Sequence, residues 1–340
     1  MKFTTKIAAL AAVTCLALTG CTSKPDNPGT EPGESTSSYN FLMLPKNLGN
    51  PYFDASNNGA KDAAVEFGGN LNYTGPSGGS GSGESQVSFV TNATKQGMDA
   101  LILSANDPEA LCDAVKGVQA AGVKVITFDA DTTCRDLFVN QAAYEEVART
   151  LVEMMVAQIG DTGEVAWLSA GSKAHNQNEW MRIANEIFAA EHPGITIVGT
   201  FYGNDNDQQS FDRTAAILDS HPSLVGIISP TAVGLPAAAR YIQGSEFAGK
   251  VALTGLSLPS LMKDYVSAGT VTQFALWNPG DLGYLSTFAA KALINGEITG
   301  AKGDTFEAGT LGTIMVGDNA TVILGPVQRF TAENINDFDF

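Results

Sequence analysis

Five polar clusters each follow a short apolar run, and their side chains are of the kinds that hold a polyhydroxylated molecule. They are Pro45-Lys46-Asn47-Leu48-Gly49-Asn50-Pro51-Tyr52-Phe53-Asp54, Asp129-Ala130-Asp131-Thr132, His175-Asn176-Gln177-Asn178-Glu179-Trp180, Pro230-Thr231-Ala232 and Trp277-Asn278-Pro279. Carboxylates and amides exchange hydrogen bonds with hydroxyls, a lysine fixes one oxygen, and aromatic faces cover C–H surfaces. A neutral hydrogen bond contributes about 1 kcal/mol net and a charged one roughly 1.5–3, so several together support micromolar binding. Lys46, Asp129, Asn176 and Gln177 are the leading candidates because they come from different runs. Pro230 and Ala232 would contribute through backbone groups. Asp54 reads as a helix cap rather than a contact, Asp131 as a cap or turn, and Trp180 as a core residue on a helix.

One motif points to a different chemistry. Asp129-Ala130-Asp131-Thr132-Thr133 fits the Asp-x-Asp-x-Thr spacing of haloacid-dehalogenase-like phosphatases, whose first aspartate is a nucleophile beside Mg²⁺. Those enzymes carry it on their first strand and need a later lysine and acidic pair. Here it falls on about the fourth strand; Asn204-Asp205-Asn206-Asp207 is acidic, but Lys173 is the only nearby lysine and is poorly placed. The stretch 75–83, Gly-Pro-Ser-Gly-Gly-Ser-Gly-Ser-Gly, lacks the Gly-Lys-Ser/Thr ending of a phosphate loop and reads as a flexible connection. No serine or cysteine sits in a nucleophile elbow. The three histidines lie far from the cysteines and show no ligand spacing, so no metal and no cofactor is expected.

Clusters at run ends need elements to hold them. The runs 41–44, 99–104, 123–128, 164–169, 195–200, 224–229, 251–254 and 272–276 do not alternate in polarity, as strands buried on both faces do not. Helical patterns separate most of them, with 54–67 stopped at Gly68 and 108–121 at Gly122. The fold class is therefore α/β, with right-handed parallel β-α-β units and ligand groups at the carboxyl ends of strands. About 300 residues exceed what one core usually serves, so two lobes are expected.

The chain begins with Lys2 and Lys6 and an apolar run, 7–17, which reads as an export signal. Residues 22–38 are rich in Ser, Thr, Pro, Gly and Glu and read as a flexible tether. No later segment is long and apolar enough to span a bilayer. Losing the two lysines takes the formal charge from −17 to −19, which argues against nucleic acid and anionic lipid as partners. Of four cysteines, Cys15 lies in the signal and Cys21 follows it. Cys112 and Cys134 remain, an even pair in an exported chain; a disulfide is the natural reading, two buried thiols the alternative.

Leu18-Thr19-Gly20-Cys21 resembles a bacterial lipobox, which implies cleavage after residue 20 and acylation of Cys21. From residue 40 onward the chain resembles the type I, ribose-like periplasmic sugar-binding proteins. Asn50-Pro51-Tyr52-Phe53 is similar to their ligand-stacking segment and Ile126-Thr127-Phe128-Asp129 to their strand-end aspartate. Within the family, rhamnose-binding proteins and autoinducer-2 receptors are most similar. Lys46 to Pro51, Ser104-Ala105-Asn106-Asp107-Pro108, Asn176 to Trp180, Ala275 to Pro279 and the ending Asn336-Asp337-Phe338-Asp339-Phe340 look rhamnose-type. Lys46, Asp129, Gln177, Pro230 and Ala232 match the autoinducer-2 contact set. A second aspartate of that set is replaced by Asn176, which favours a neutral sugar over a furanosyl diester. The cysteine pair also resembles those receptors.

The resemblance implies two Rossmann-like lobes with three crossings near 140–142, 277–279 and 300–309. It places 39–141 and about 278–305 in the first lobe, and 142–277 and about 306–340 in the second. It implies a monomeric, non-enzymatic, lipid-anchored binder outside the cytoplasmic membrane that delivers a small sugar to an ABC transporter permease. Lys46, Asn50, Tyr52, Phe53, Asp129, Asn176, Gln177, Pro230, Ala232 and Trp277 would form its site.

Overall fold

In the computed structural model, which describes residues 38–78 and 83–340, most of the apolar runs become strands sealed between helices. The first sheet is built from β1 (Asn40–Leu44), β2 (Asn70–Tyr73), β3 (Ala100–Leu103), β4 (Lys124–Phe128) and β5 (Leu137–Asn140). Helices α1 (Pro51–Glu66), α2 (Gly83–Lys95) and α3 (Cys112–Ala120) connect them. β3 and β5 are buried along their whole length, as strands covered on both faces must be. β2, at the sheet edge, alternates between exposed and half-buried residues and is not an apolar run.

The second sheet follows in the same manner. Helix α4 (Tyr144–Ile159) leads to β6 (Thr162–Ser169), α5 (His175–Glu191), β7 (Gly194–Tyr202), α6 (Asp207–Ser220), β8 (Leu224–Ser229), α7 (Gly234–Gln243) and β9 (Ala252–Gly255). Its strand order is β7-β6-β8-β9, with every pairing parallel. Helix α8 (Pro259–Ser267) then brings in β10 (Gln273–Leu276), which touches β9 through the Leu256–Ala275 bridge.

Helix α9 (Pro279–Ile294) returns to the first sheet and packs along α1. The approach is close enough that a Cβ on Gly59 would overlap the Gly280 carbonyl, and one on Gly283 the Ser56 carbonyl. After the hairpin β11 (Thr305–Glu307) and β12 (Thr313–Met315), β13 (Thr321–Ile323) joins β5 in parallel. The first sheet is thus six-stranded, β13-β5-β4-β3-β1-β2, and all parallel. Strand β14 (Gln328–Thr331) finally pairs antiparallel with β10.

This corrects the expected third crossing near 300–309 and the assignment of 306–340 to the second lobe. The β11–β12 hairpin is a small sheet of its own beside α9, β13 belongs to the first sheet, and the chain leaves that sheet between β13 and β14. The β13–β5 pairing is a three-residue contact between residues 183 apart in sequence, which no local pattern announces. Two helices start at other residues than their sequence patterns predict. α1 begins at Pro51 because Asn50 caps it, its Oδ1 accepting from Tyr52 N at 3.1 Å; Asp54 lies in the first turn instead. α3 begins at Cys112 because Asp107 Oδ1 accepts from Glu109 N and Ala110 N and holds a turn there.

Residues 1–37, with the expected signal, Cys21 and most of the tether, lie outside the described residues, as do 79–82 of the glycine-rich stretch between β2 and α2. Among the described residues no helix is long and apolar enough to cross a membrane.

Candidate functional site

The carboxyl ends of both sheets meet around one cavity. Its empty volume, between the lobes and partly open to solvent, is about 370 Å³. All ten residues expected at the site line it: Lys46, Asn50, Tyr52 and Phe53 after β1, Asp129 after β4, Asn176 and Gln177 at the start of α5, Pro230 and Ala232 after β8, and Trp277 after β10.

The polar side is a closed set of bonds between lobes. Lys46 Nζ lies 3.2 Å from Asp129 Oδ2 and donates to Asn176 Oδ1 at 3.2 Å. Asn176 Nδ2 donates to Asp129 Oδ1 at 3.2 Å, and Ser104 Oγ to Asp129 Oδ2 at 2.8 Å. Asp129 itself sits at φ 59°, a left-handed conformation that aspartate tolerates better than most residues. Gln177 Oε1 accepts from Ser169 Oγ and Ala170 N, which pins its amide at the end of β6.

The support beneath Lys46 and Asp129 comes from α2. Gln86 Nε2 donates to Pro45 O at 2.9 Å and Ser104 O at 2.8 Å, while its Oε1 accepts from Asn106 N at 2.8 Å. Asn106 Nδ2 in turn donates to Lys46 O at 2.8 Å. One buried amide therefore spaces the chain after β1 from the chain after β3. Sequence reading gave Gln86 no role, because it stands on a helix, away from any strand end.

The apolar side is aromatic. Tyr52, Phe53, Trp180 and Trp277 line it; Tyr52 meets Phe53 and Trp277 edge-on, and Trp180 is tilted against Trp277. Trp277 Nε1 donates to Tyr52 Oη at 2.8 Å. Burial first, and then the nearby Asp129 carboxylate, hold the Tyr52 phenol well above its ordinary pKa, with the Trp277 N–H pulling the other way. Trp180, expected as core, is buried and also lines the cavity, and its Nε1 has no partner among the described residues.

Asp205, Thr231, Leu256 and Leu276 line the cavity as well and were missed as site residues. Asp131 is turned elsewhere: its carboxylate accepts from Arg135 Nε and Nη2, each at 3.0 Å, and from Thr132 N. The two aspartates of the phosphatase-like spacing thus do not face one point. Among the described residues no group of three or more His, Cys, Asp or Glu could hold a metal ion. A disulfide joins Cys112, the first residue of α3, to Cys134 on the loop that follows Asp129.

A family model for the periplasmic binding protein domain matches residues 41–298. Among solved structures, a sugar ABC transporter from Actinomyces odontolyticus is 43% identical, covering 90% of this chain and 99% of that one, with a TM-score of 0.71. An ABC transporter solute binding protein from Clostridium phytofermentas with bound L-rhamnose is 33% identical over 89% of this chain and 98% of its own, TM-score 0.85. LsrB from Clostridium saccharobutylicum in complex with AI-2 is 28% identical over 88% and 100%, TM-score 0.83.

Proposed function

The chain belongs to the type I family of periplasmic sugar-binding proteins, and we propose that it captures a small neutral sugar, of the rhamnose type, for an ABC transporter. The observation that carries this is the junction of Lys46 and Asp129 from one lobe with Asn176 from the other. Ligand hydroxyls would exchange with the bonds these three now make to each other. The aromatic wall would cover the C–H face and any methyl group, and the unpartnered Trp180 N–H is a further donor. A relative at 33% identity holds L-rhamnose.

A ligand that bridges both lobes only when they are together shifts the equilibrium towards closure, a recognised motion of periplasmic binding proteins. The closed monomer is then the form a permease receives. Small-angle scattering tests this, since a particle that does not compact at saturation contradicts it. Residues 1–20 would direct export and Cys21 would carry lipid, with 22–38 as tether. Cys21→Ser protein that still pellets with membranes would refute the anchor.

A second reading, autoinducer-2 capture, is favoured by Lys46, Asp129, Gln177, Pro230 and Ala232 all lining the cavity as that contact set requires. Thermal-shift screening against L-rhamnose, D-ribose, other deoxyhexoses, and AI-2 with and without borate separates the two. A ligand at one hundred times its Kd adds about 2.7 kcal/mol. The deoxyhexose is expected to give the largest shift; a larger one with AI-2 would replace the sugar reading.

A further inference from the structure

Asp205 is built like Asp129, in the opposite lobe. Each follows the last residues of a parallel strand, Asp129 after β4 and Asp205 after β7. Each is buried, at 5% and 8% exposure, and each has a left-handed backbone, φ 59° and 46°. Each accepts from a hydroxyl carried by a different strand end, Ser104 Oγ for Asp129 and Thr231 Oγ1 for Asp205. Both line the cavity. The cavity lining therefore holds two carboxylates, one from each lobe.

Resting on the sugar reading above, we propose that Asp205 is the second lobe's ligand-binding carboxylate, accepting a hydroxyl of the sugar and selecting hydroxyl donors over anions. A carboxylate facing the cavity attracts a hydroxyl proton strongly and repels a phosphate or carboxylate at the same place. Because it moves with the second sheet, its bond to the ligand forms fully only when the lobes are together, so it contributes to closure as well as to selection.

The test is calorimetric titration of wild type and Asp205→Asn with L-rhamnose, D-ribose and AI-2, and with mono-deoxy analogues of whichever binds. Asparagine keeps the left-handed backbone and an oxygen for Thr231, so the variant should melt as wild type does. Loss of a charged acceptor predicts binding about tenfold to a hundredfold weaker. That loss should vanish for the one analogue lacking the hydroxyl that meets Asp205. Thr231→Val, which leaves the carboxylate but removes its donor, should weaken binding several-fold and serves if Asp205→Asn does not fold. Asp205→Asn binding within about twofold of wild type, or an equal loss for every analogue, overturns the role of Asp205 and leaves the sugar reading standing. Wild type that binds none of the panel overturns the sugar reading, and this inference with it.

Discussion

Tyr52 and Trp277 are bonded across 225 residues of chain, the indole N–H of one donating to the phenol oxygen of the other at 2.8 Å. Tyr52 opens α1 and Trp277 precedes α9, and these two helices interlock backbone to backbone through Gly59, Gly280 and Gly283. The aromatic wall is therefore set by the packing of two helices, not by a loop.

The Tyr52 phenol gives a pH prediction. Its folded pKa is raised above the ordinary value of about 10, so its contribution to stability is complete below about pH 10 and is lost as pH rises through the folded value. Trp277→Phe removes the donor that favours the anion, and tyrosinate absorbance should then appear at still higher pH. The same variant should bind ligand about twofold to tenfold more weakly, one neutral hydrogen bond's worth. An unchanged alkaline titration would contradict the bond.

Lys46→Met leaves Asp129 buried without its cation. Ser104 and Asn176 still donate to the carboxylate, so the expected cost is near the low end of a broken buried pair, about 3 kcal/mol. Adding Asp129→Asn should recover most of it. Urea unfolding of the single and double variants gives the answer, and additive losses would refute the coupling.

Gly283→Ala and Gly117→Ala should move stability in opposite directions. A Cβ at Gly283 meets the Ser56 carbonyl, so α9 must shift from α1, at about 1–3 kcal/mol. Gly117, in α3, has nothing within 4 Å of a new Cβ. Alanine there should stabilise the helix by up to about 1 kcal/mol. Denaturation midpoints compare them directly.

Serine at both Cys112 and Cys134 opens a loop with a sequence separation of 22 and should cost about 3 kcal/mol on chain-entropy grounds. Guanidine unfolding of the double variant measures it. A loss below about 1 kcal/mol would mean that residual order in the unfolded chain already holds the loop.

Most strands legible in sequence are well buried, because burial leaves an unbroken apolar run such as 123–128; half-buried β7 was legible too, while β5, buried throughout but only four residues long, was not. β2 and β13 carry no such run: both are edges, and β13 is three residues held by a distant partner. The site divides the same way. Lys46, Asp129 and Asn176 were found because each follows a strand and is polar where the core ends. Asp205 follows a strand too, but it sits in Asn204-Asp205-Asn206-Asp207, which reads as one acidic turn. The structure sends those side chains to separate duties: Asn206 caps α6, Asp207 pairs with Arg240, and Asp205 alone lines the cavity. Composition cannot express that division, since it depends on left-handed turns at Asn204 and Asp205.

Gln86 bears on how such a protein diversifies. Its amide fixes the distance between the chain carrying Lys46 and the chain supporting Asp129, yet it does not line the cavity. A change at position 86 would loosen the grip on every cargo to a similar degree and leave the ranking among cargoes alone. Tightness and preference are thus encoded at separate positions, and a lineage can alter one while keeping the other.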